Sequence, residues 1–357
     1  MSHRALIAMS GGVDSSVAAL LMQQQGYECS GATMKLFSNE DAGISRERSC
    51  CSLEDVEDAR SVAYRLGMPY YVFNFSERFA KDVIERFVYA YEHGQTPNPC
   101  IDCNRFLKFD QFYRRSRELG YDCIATGHYA RIVQDADTGR YLLKTASDPA
   151  KDQSYVLYAM TQEQLRRTHF PLGHLCKPEV RRIAAEHQFL NAEKQDSQDI
   201  CFVQNGSYAD FIEQYTGKVY PEGDFIDTAG HVLGRHRGII RYTIGQRKGL
   251  GLALPESLYV CEIRPEDNTV VLGRNEELFR KTLTVRDLNL ISCETLEQPT
   301  RLEVKIRYRQ SAQWATVTQT DSDVLSIVFD QPQRAVTSGQ SAVLYDGDTV
   351  VGGGTIV

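Results

Sequence analysis

From residue 3 the chain alternates short apolar runs with amphipathic ones, and this alternation restricts the fold more than any other feature. HRALIAM reads as a strand, VDSSVAALLMQQQG as a helix stopped at Gly26, and YECSGATMKLF as a second strand. Ser52 opens an S-L-E-D cap signal, after which Val56, Ala59, Val62, Ala63 and Leu66 recur at helical spacing until Gly67 and Pro69. YYVFNF supplies a third strand. SERFAKDVIERFVYAYEHG is a long amphipathic segment before TPNPCIDCN, and RFLKFDQFYRRSRELG is a further helix leading into the strand DCIATG. Strands joined through helices pair in parallel and are covered on both faces, so residues 1–205 predict a doubly wound parallel sheet.

Past residue 205 helical periodicity fades. GKVYPEGDFIDTAGHVLGRH and the segment to about 275 are short strands punctuated by glycine, which predicts a small β-rich linking domain over 206–278. VKIRYRQ, WATVTQT, VLSIVF, SAVLYDG and TVVGGGTIV follow at the spacing of a compact barrel or sandwich, and a C-terminal β-barrel is expected over 279–357. A length of 357 residues with 42% hydrophobic and 24% charged residues fits two or three packed domains and excludes wholesale disorder. No window reaches the ~18 apolar residues of a membrane span, and the start lacks a signal-peptide pattern, so the expected location is cytoplasmic, without membrane contact.

Forty basic against forty-seven acidic residues give a net charge of −7, which removes any general attraction to a polyanion. Local stripes run against it: Arg235, Arg237, Arg241, Arg247 and Lys248 lie in 231–250 without an acid, and RLEVKIRYRQ has four basic residues against Glu303 alone. Each stripe fits a directed polyanion contact or a solvated strand face about equally. The ten cysteines are dispersed, as expected of reduced thiols.

Ser10-Gly11-Gly12-Val13-Asp14-Ser15-Ser16 falls between the first strand and the first helix. Two glycines let the backbone approach an anion, helix amides point at it, and hydroxyls add donors. The run lacks the lysine of a Walker loop and the third glycine of a dinucleotide fingerprint. A tight turn with a serine N-cap would leave the same trace. Asp14 could steer a magnesium ion on released pyrophosphate.

With strand and helix flanking it, SGGVDSS resembles the signature of the PP-loop ATP pyrophosphatases, of adenine nucleotide hydrolase-like fold, which cleave ATP between the α and β phosphates and adenylate an oxygen. The resemblance implies ATP with Mg²⁺, phosphates held by Ala8, Met9, Ser10, Gly11, Gly12, Val13, Asp14 and Ser15, and the nucleoside met by Met34 and Gly127. Together with TPNPCIDCNRFLKF, TGHYAR, AKDQSYVLY, DSQDICFVQNGSYADFI, YTIGQRKGLG and RYRQ, it further resembles the bacterial tRNA-specific 2-thiouridylase family, in order over nearly the whole chain. That family thiolates the wobble uridine of tRNA.

The resemblance assigns Cys201 as the cysteine that carries sulfur as a persulfide and Cys103 as the nucleophile that resolves it through a transient disulfide. A sulfur carrier or cysteine desulfurase would load Cys201. Asn98, Pro99 and Cys100 would sit against the target base with His128 near it, while Lys151, Asp152, Gln153, Arg307, Tyr308 and Gln340 would touch the tRNA. Cys103 precedes an expected helix start carrying Arg105 and Lys108, a setting that favours a thiolate. Asp196 and Asp199 would oppose one at Cys201. The remaining Cys29, Cys123, Cys176, Cys261 and Cys293 read as small buried hydrophobes.

Cys100 stands where many relatives of this kind have Asp, and Cys50-Cys51 adds a second close pair. Cys100, Cys103 and Cys201 could hold an iron–sulfur cluster with one iron open, although the redox pair already accounts for two of them. Two other classes stay open on the residues alone. An ammonia-using PP-loop ligase would leave Cys103 and Cys201 without roles, and a tRNA-binding or zinc-stabilised module would use them structurally.

Overall fold

The computed structural model describes residues 3–37, 53–194, 200–203, 207–253 and 256–357. Cys50, Cys51, Ser52, Asp196 and Asp199 lie outside these. The alternation at the N-terminus becomes a five-stranded sheet of β1 (Arg4–Ala8), β2 (Glu28–Lys35), β3 (Tyr70–Asn74), β4 (Cys123–Ala125) and, beyond a hairpin of β5 (Arg131–Gln134) and β6 (Tyr141–Lys144), β7 (Thr168–His169). The order is β3-β2-β1-β4-β7, parallel throughout. Winding leaves β1 through β2 and β3 on one side and resumes at β4 on the other. At such a reversal the carboxyl ends of the two central strands open a crevice, here between β1 and β4.

Coverage on both faces accounts for the unbroken apolar run in β1, where Ala5, Leu6 and Ile7 are wholly buried. One face is closed by α1 (Val13–Gln24), α2 (Leu53–Arg65) and the helix Lys177–Glu186, through Val17, Ala18, Val62, Val180 and Ala184. The other packs against Phe109, Phe112 and Tyr113.

Two helical stretches depart from α winding. That over 76–92 is π-wound at Ala80–Ile84, and that over 99–118 is π-wound at Cys103–Gln111. The second starts earlier than the sequence predicts. Asn98 caps it by accepting from the Cys100 amide at 3.2 Å, and Pro99 suits the first helical position. Cys103 therefore lies within the helix, not at its N-terminus, which corrects the expected setting.

The linking region contains a helix the β-rich reading lacked, Tyr208–Thr216, started by a Ser207–Asp210 capping box. Its strands β8 (Gly223–Asp227), β9 (Val232–His236), β10 (Tyr259–Arg264) and β11 (Thr269–Gly273) form a sheet in the order β10-β11-β8-β9. The C-terminal strands β12 (Phe279–Leu290), β13 (Thr300–Lys305), β14 (Gln313–Asp321), β15 (Val324–Arg334), β16 (Ser341–Asp346) and β17 (Thr349–Ile356) run β12-β15-β14-β13-β16-β17 and close through β12 on β17. They make a six-stranded antiparallel barrel. β6 also pairs with β17, Leu143 opposite Val350, so the hairpin of the first sheet's domain continues the barrel wall.

Candidate nucleotide and thiol site

The glycine loop fills the end of the crevice. Gly11 takes φ +77, and a Cβ there would lie 2.8 Å from the Asp55 Cα, so this position needs glycine both for its backbone and for the approach of α2. Gly12 caps α1 in an extended conformation, and no side chain accepts from the helix start. The serine N-cap alternative therefore fails: Ser15 and Ser16 Oγ donate back to the Gly12 carbonyl at 3.0 and 3.1 Å instead. Ser10 is exposed and Gly12 partly so, while Ala8, Met9, Val13 and Ser15 are buried behind them. Thr33 Oγ1 donates to the Met9 carbonyl at 2.6 Å, and Asn191 Nδ2 ties the Gly11 carbonyl to Ser16 Oγ at 2.8 and 2.9 Å. The result is a glycine loop tied in place at a helix N-terminus, an arrangement suited to a phosphate.

Asp14 is held by side chains from two other parts of the chain. Lys177 Nζ donates to both its carboxylate oxygens at 2.8 Å, and Tyr129 OH donates to Oδ1 at 2.7 Å.

The turn after β4 reaches both halves of the crevice. A Cβ on Gly127 would lie 2.8 Å from both Asp14 C and Ser15 N, so this glycine allows the strand end to lie directly on the loop. One residue on, buried His128 faces the π-wound helix, its Nε2 3.5 Å from Lys108 Nζ and its Nδ1 2.7 Å from Thr126 Oγ1. An ammonium only donates, so Nε2 accepts and Nδ1 carries the proton. Burial, with Lys108 beside it, holds the imidazole pKa well below its ordinary value, and the ring is neutral.

Cys103 is 9% exposed and shares a hydrophobic cluster with Phe79, Phe87, Leu107 and Phe202, against which half-buried Cys201 packs. Burial pushes the Cys103 thiol up; Lys108 pulls it down, and Cys100 and Asp102 raise it further. Arg105 gives no help, since it is paired with Asp287 on β12. Cys103 is buried, Cys201 is partly exposed and Cys100 is exposed. Among the described residues no three His, Cys, Asp or Glu side chains are grouped to hold a metal ion, so Cys100, Cys103 and Cys201 do not form a ligand set as they stand. Of the cysteines read as buried hydrophobes, Cys29 and Cys123 are buried, whereas Cys176, Cys261 and Cys293 are partly exposed.

The residues expected to hold RNA converge where barrel and sheet domain meet. Gln340 Nε2 donates to the Thr96 carbonyl at 2.7 Å, just ahead of Asn98, Pro99 and Cys100. Tyr308 OH donates to the Asp152 carbonyl at 3.2 Å, and Arg307 donates to Ala335 O and Thr337 Oγ1. Asp152 accepts from Ala146 N and Ser154, and Gln153 Oε1 accepts from Tyr129 N, while Lys151 is half-buried beside them. In the basic stripes Arg235, Arg241 and Arg301 pair with Asp224, with Asp210 and Glu213, and with Asp330. Arg237, Arg247, Lys248 and Arg309 are exposed. Lys177, Asn191 and Tyr129 were not singled out from the sequence. Each acts across a long separation, Lys177 on a residue 163 positions away, and nothing local marks such a contact.

A parallel sheet with a glycine cradle at its winding reversal, a thiol-bearing helix beside it and an appended barrel define a multidomain HUP-type enzyme. Residues 3–205 match the family model "tRNA methyl transferase HUP domain", 209–274 the "tRNA methyl transferase PRC-barrel domain" and 280–356 the "Aminomethyltransferase beta-barrel domain". A tRNA-specific 2-thiouridylase of Clostridioides difficile is 52% identical over all of this chain and 98% of its own length. Those of Acetivibrio thermocellus and Lachnoclostridium phytofermentans are 51% and 49% identical, each over 99% of both chains. The chain belongs to the tRNA-specific 2-thiouridylase family and is an enzyme. Among the described residues no helix is long and apolar enough to cross a membrane.

Proposed function

We propose that the enzyme thiolates the wobble uridine of tRNA at C2 in two stages within the β1/β4 crevice. First the C2 oxygen attacks the α-phosphorus of ATP in the glycine cradle, the bond to the β-phosphate breaks, and pyrophosphate leaves. Next the outer sulfur of a Cys201 persulfide, charged by a sulfur carrier or cysteine desulfurase, attacks C2, and AMP departs with the original oxygen. Cys103 thiolate then attacks Cys201 Sγ, cleaving the S–S bond, leaving sulfur on the base and forming a Cys103–Cys201 disulfide that a thiol reductant reopens. Adenylation turns a poor leaving oxygen into a good one. Mg²⁺ accompanies the ATP phosphates, and the Asp14 carboxylate in the first turn of α1 is held by Lys177 and Tyr129.

The observation that carries this reading is the turn at 126–128. Through Gly127 it lies on the phosphate cradle, and through His128 it meets Lys108 on the helix that bears Cys103. One base placed against it has a nucleotide on one side and a thiol on the other. The barrel fixes the approach, since Gln340 and Tyr308 hold segments 96–97 and 152 by their carbonyls, and the exposed cations Arg237, Arg247, Lys248 and Arg309 suit the RNA backbone. A loop base swings out of its stack at modest cost.

Incubation with ATP, a persulfide donor and unmodified tRNA, followed by nucleoside mass spectrometry, should give 2-thiouridine. Cys201→Ser should neither load sulfur nor thiolate, and Cys103→Ser should load labelled sulfur on Cys201 without turning over. AMP formation with no thiolated nucleoside would overturn the sulfur assignment, and normal turnover by Cys103→Ser would overturn the resolving role.

A further inference from the structure

An acidic side chain in the first turn of α1 is at odds with the work proposed for that turn. Asp14 is the second residue of the helix whose amides face the cradle, and an uncompensated carboxylate there would repel the polyphosphate that the amides attract. Lys177 resolves the conflict from a remote element. It opens the helix Lys177–Glu186, which packs on α1 through Val180 and Ala184, and only 8% of it is exposed. Its ammonium bridges both oxygens of Asp14 at 2.8 Å, also lies 6.0 Å from the Tyr129 ring centroid, and leaves the pair without net charge. Tyr129 OH takes a further share of Oδ1, and the Gly127 backbone lies against the same residue.

We propose that Lys177 is a positioning residue for ATP, acting through Asp14: it cancels the carboxylate's charge and pins the first turn of α1, so that the cradle presents net positive potential to the phosphates. The proposal rests on the reading of the loop as the ATP site. It differs from a direct lysine–phosphate contact, because here the cation is needed only while the acid is present.

Equilibrium ATP binding to the full chain separates these cases. Lys177→Met should weaken ATP binding on the order of tenfold or more, with tRNA affinity little changed, and Lys177→Arg should recover most of the loss. The double variant Asp14→Asn with Lys177→Met removes both charges of the pair together, and its ATP affinity should return to within about threefold of wild type. A double variant as weak as Lys177→Met alone would overturn the proposal in favour of direct contact. ATP affinity unchanged in Lys177→Met would overturn it outright. Wild-type protein that binds no ATP would instead remove the reading of the loop, an outcome distinct from both.

Discussion

At the scale of single residues, the carboxylate next to Cys103 is an energetic liability. Asp102 is mostly buried against Arg86 at 3.6 Å, and burial pushes its carboxyl up to about 6, while Arg86 and Arg105 pull it down. In the unfolded chain it ionises near ~4. The folded value is the higher one, so the native state holds the proton more tightly, and stability falls as pH climbs from ~4 to about 6 and is level above that. At pH ~7 the ionised group costs about 2–3 kcal/mol. Asp102→Asn should therefore be more stable than wild type at neutral pH by about 1–3 kcal/mol in urea unfolding and gain little at pH ~4. Equal stability at neutral pH would show that the arginines fully compensate the buried charge. A cost of this size beside Cys103 is the kind of strain that active sites retain.

At the scale of elements, strands and helices were legible because their hydrophobic periods differ, and β1, α1, β2, α2 and β3 fall where the pattern places them. The π winding of Cys103–Gln111 was not, since π and α turns draw on the same residue types. The early start at Pro99 had a visible signal, Asn followed by Pro, which the cysteines around it obscured. In the site, the glycine cradle was readable as a local motif. What lies against it was not, because Lys177, Asn191 and Tyr129 reach it only through the fold. Gly127 lies between these cases: the family resemblance points it at the nucleoside, but nothing local marks that it is boxed in by α1. The atoms facing its absent Cβ are backbone, so a methyl group must separate the β4 turn from the start of α1. Gly127→Ala should then lower ATP affinity on the order of tenfold and slow sulfur transfer as well, since His128 moves with it. The check is ATP binding together with single-turnover thiolation; a loss of ATP affinity with sulfur transfer intact at saturating ATP would show that the turn does not link the two halves.

At the scale of the molecule, three sequence-matched domains share cores. The cluster on the outer face of the first sheet combines Leu6 and Ala8 of β1 with Val343, Tyr345 and Val350 of the barrel, all buried. Another joins Phe79 and Phe87 of the first domain to Phe211, Ile240 and Val270 of the linking domain. Hydrogen bonds follow the same seams: Tyr155 OH donates to the Ser341 carbonyl at 2.8 Å, and Asn289 Nδ2 to the Tyr158 and Met160 carbonyls at 2.6 and 2.9 Å. Burying one large apolar side chain contributes about 1.5–3 kcal/mol, so the three barrel residues in the first cluster couple the domains by roughly 5–9 kcal/mol, comparable to the stability of a whole domain. Multidomain chains commonly melt in steps, because interfaces between their domains are small and polar. Here removal of the barrel would uncover the core of its neighbour, so neither domain has an independent folded state to populate. Scanning calorimetry should show one transition whose calorimetric and van't Hoff enthalpies agree, and saturating ATP should shift it upward as a whole. A resolved early transition in which only the barrel unfolds, leaving ATP binding intact, would show that the shared clusters do not bind the domains into one cooperative unit.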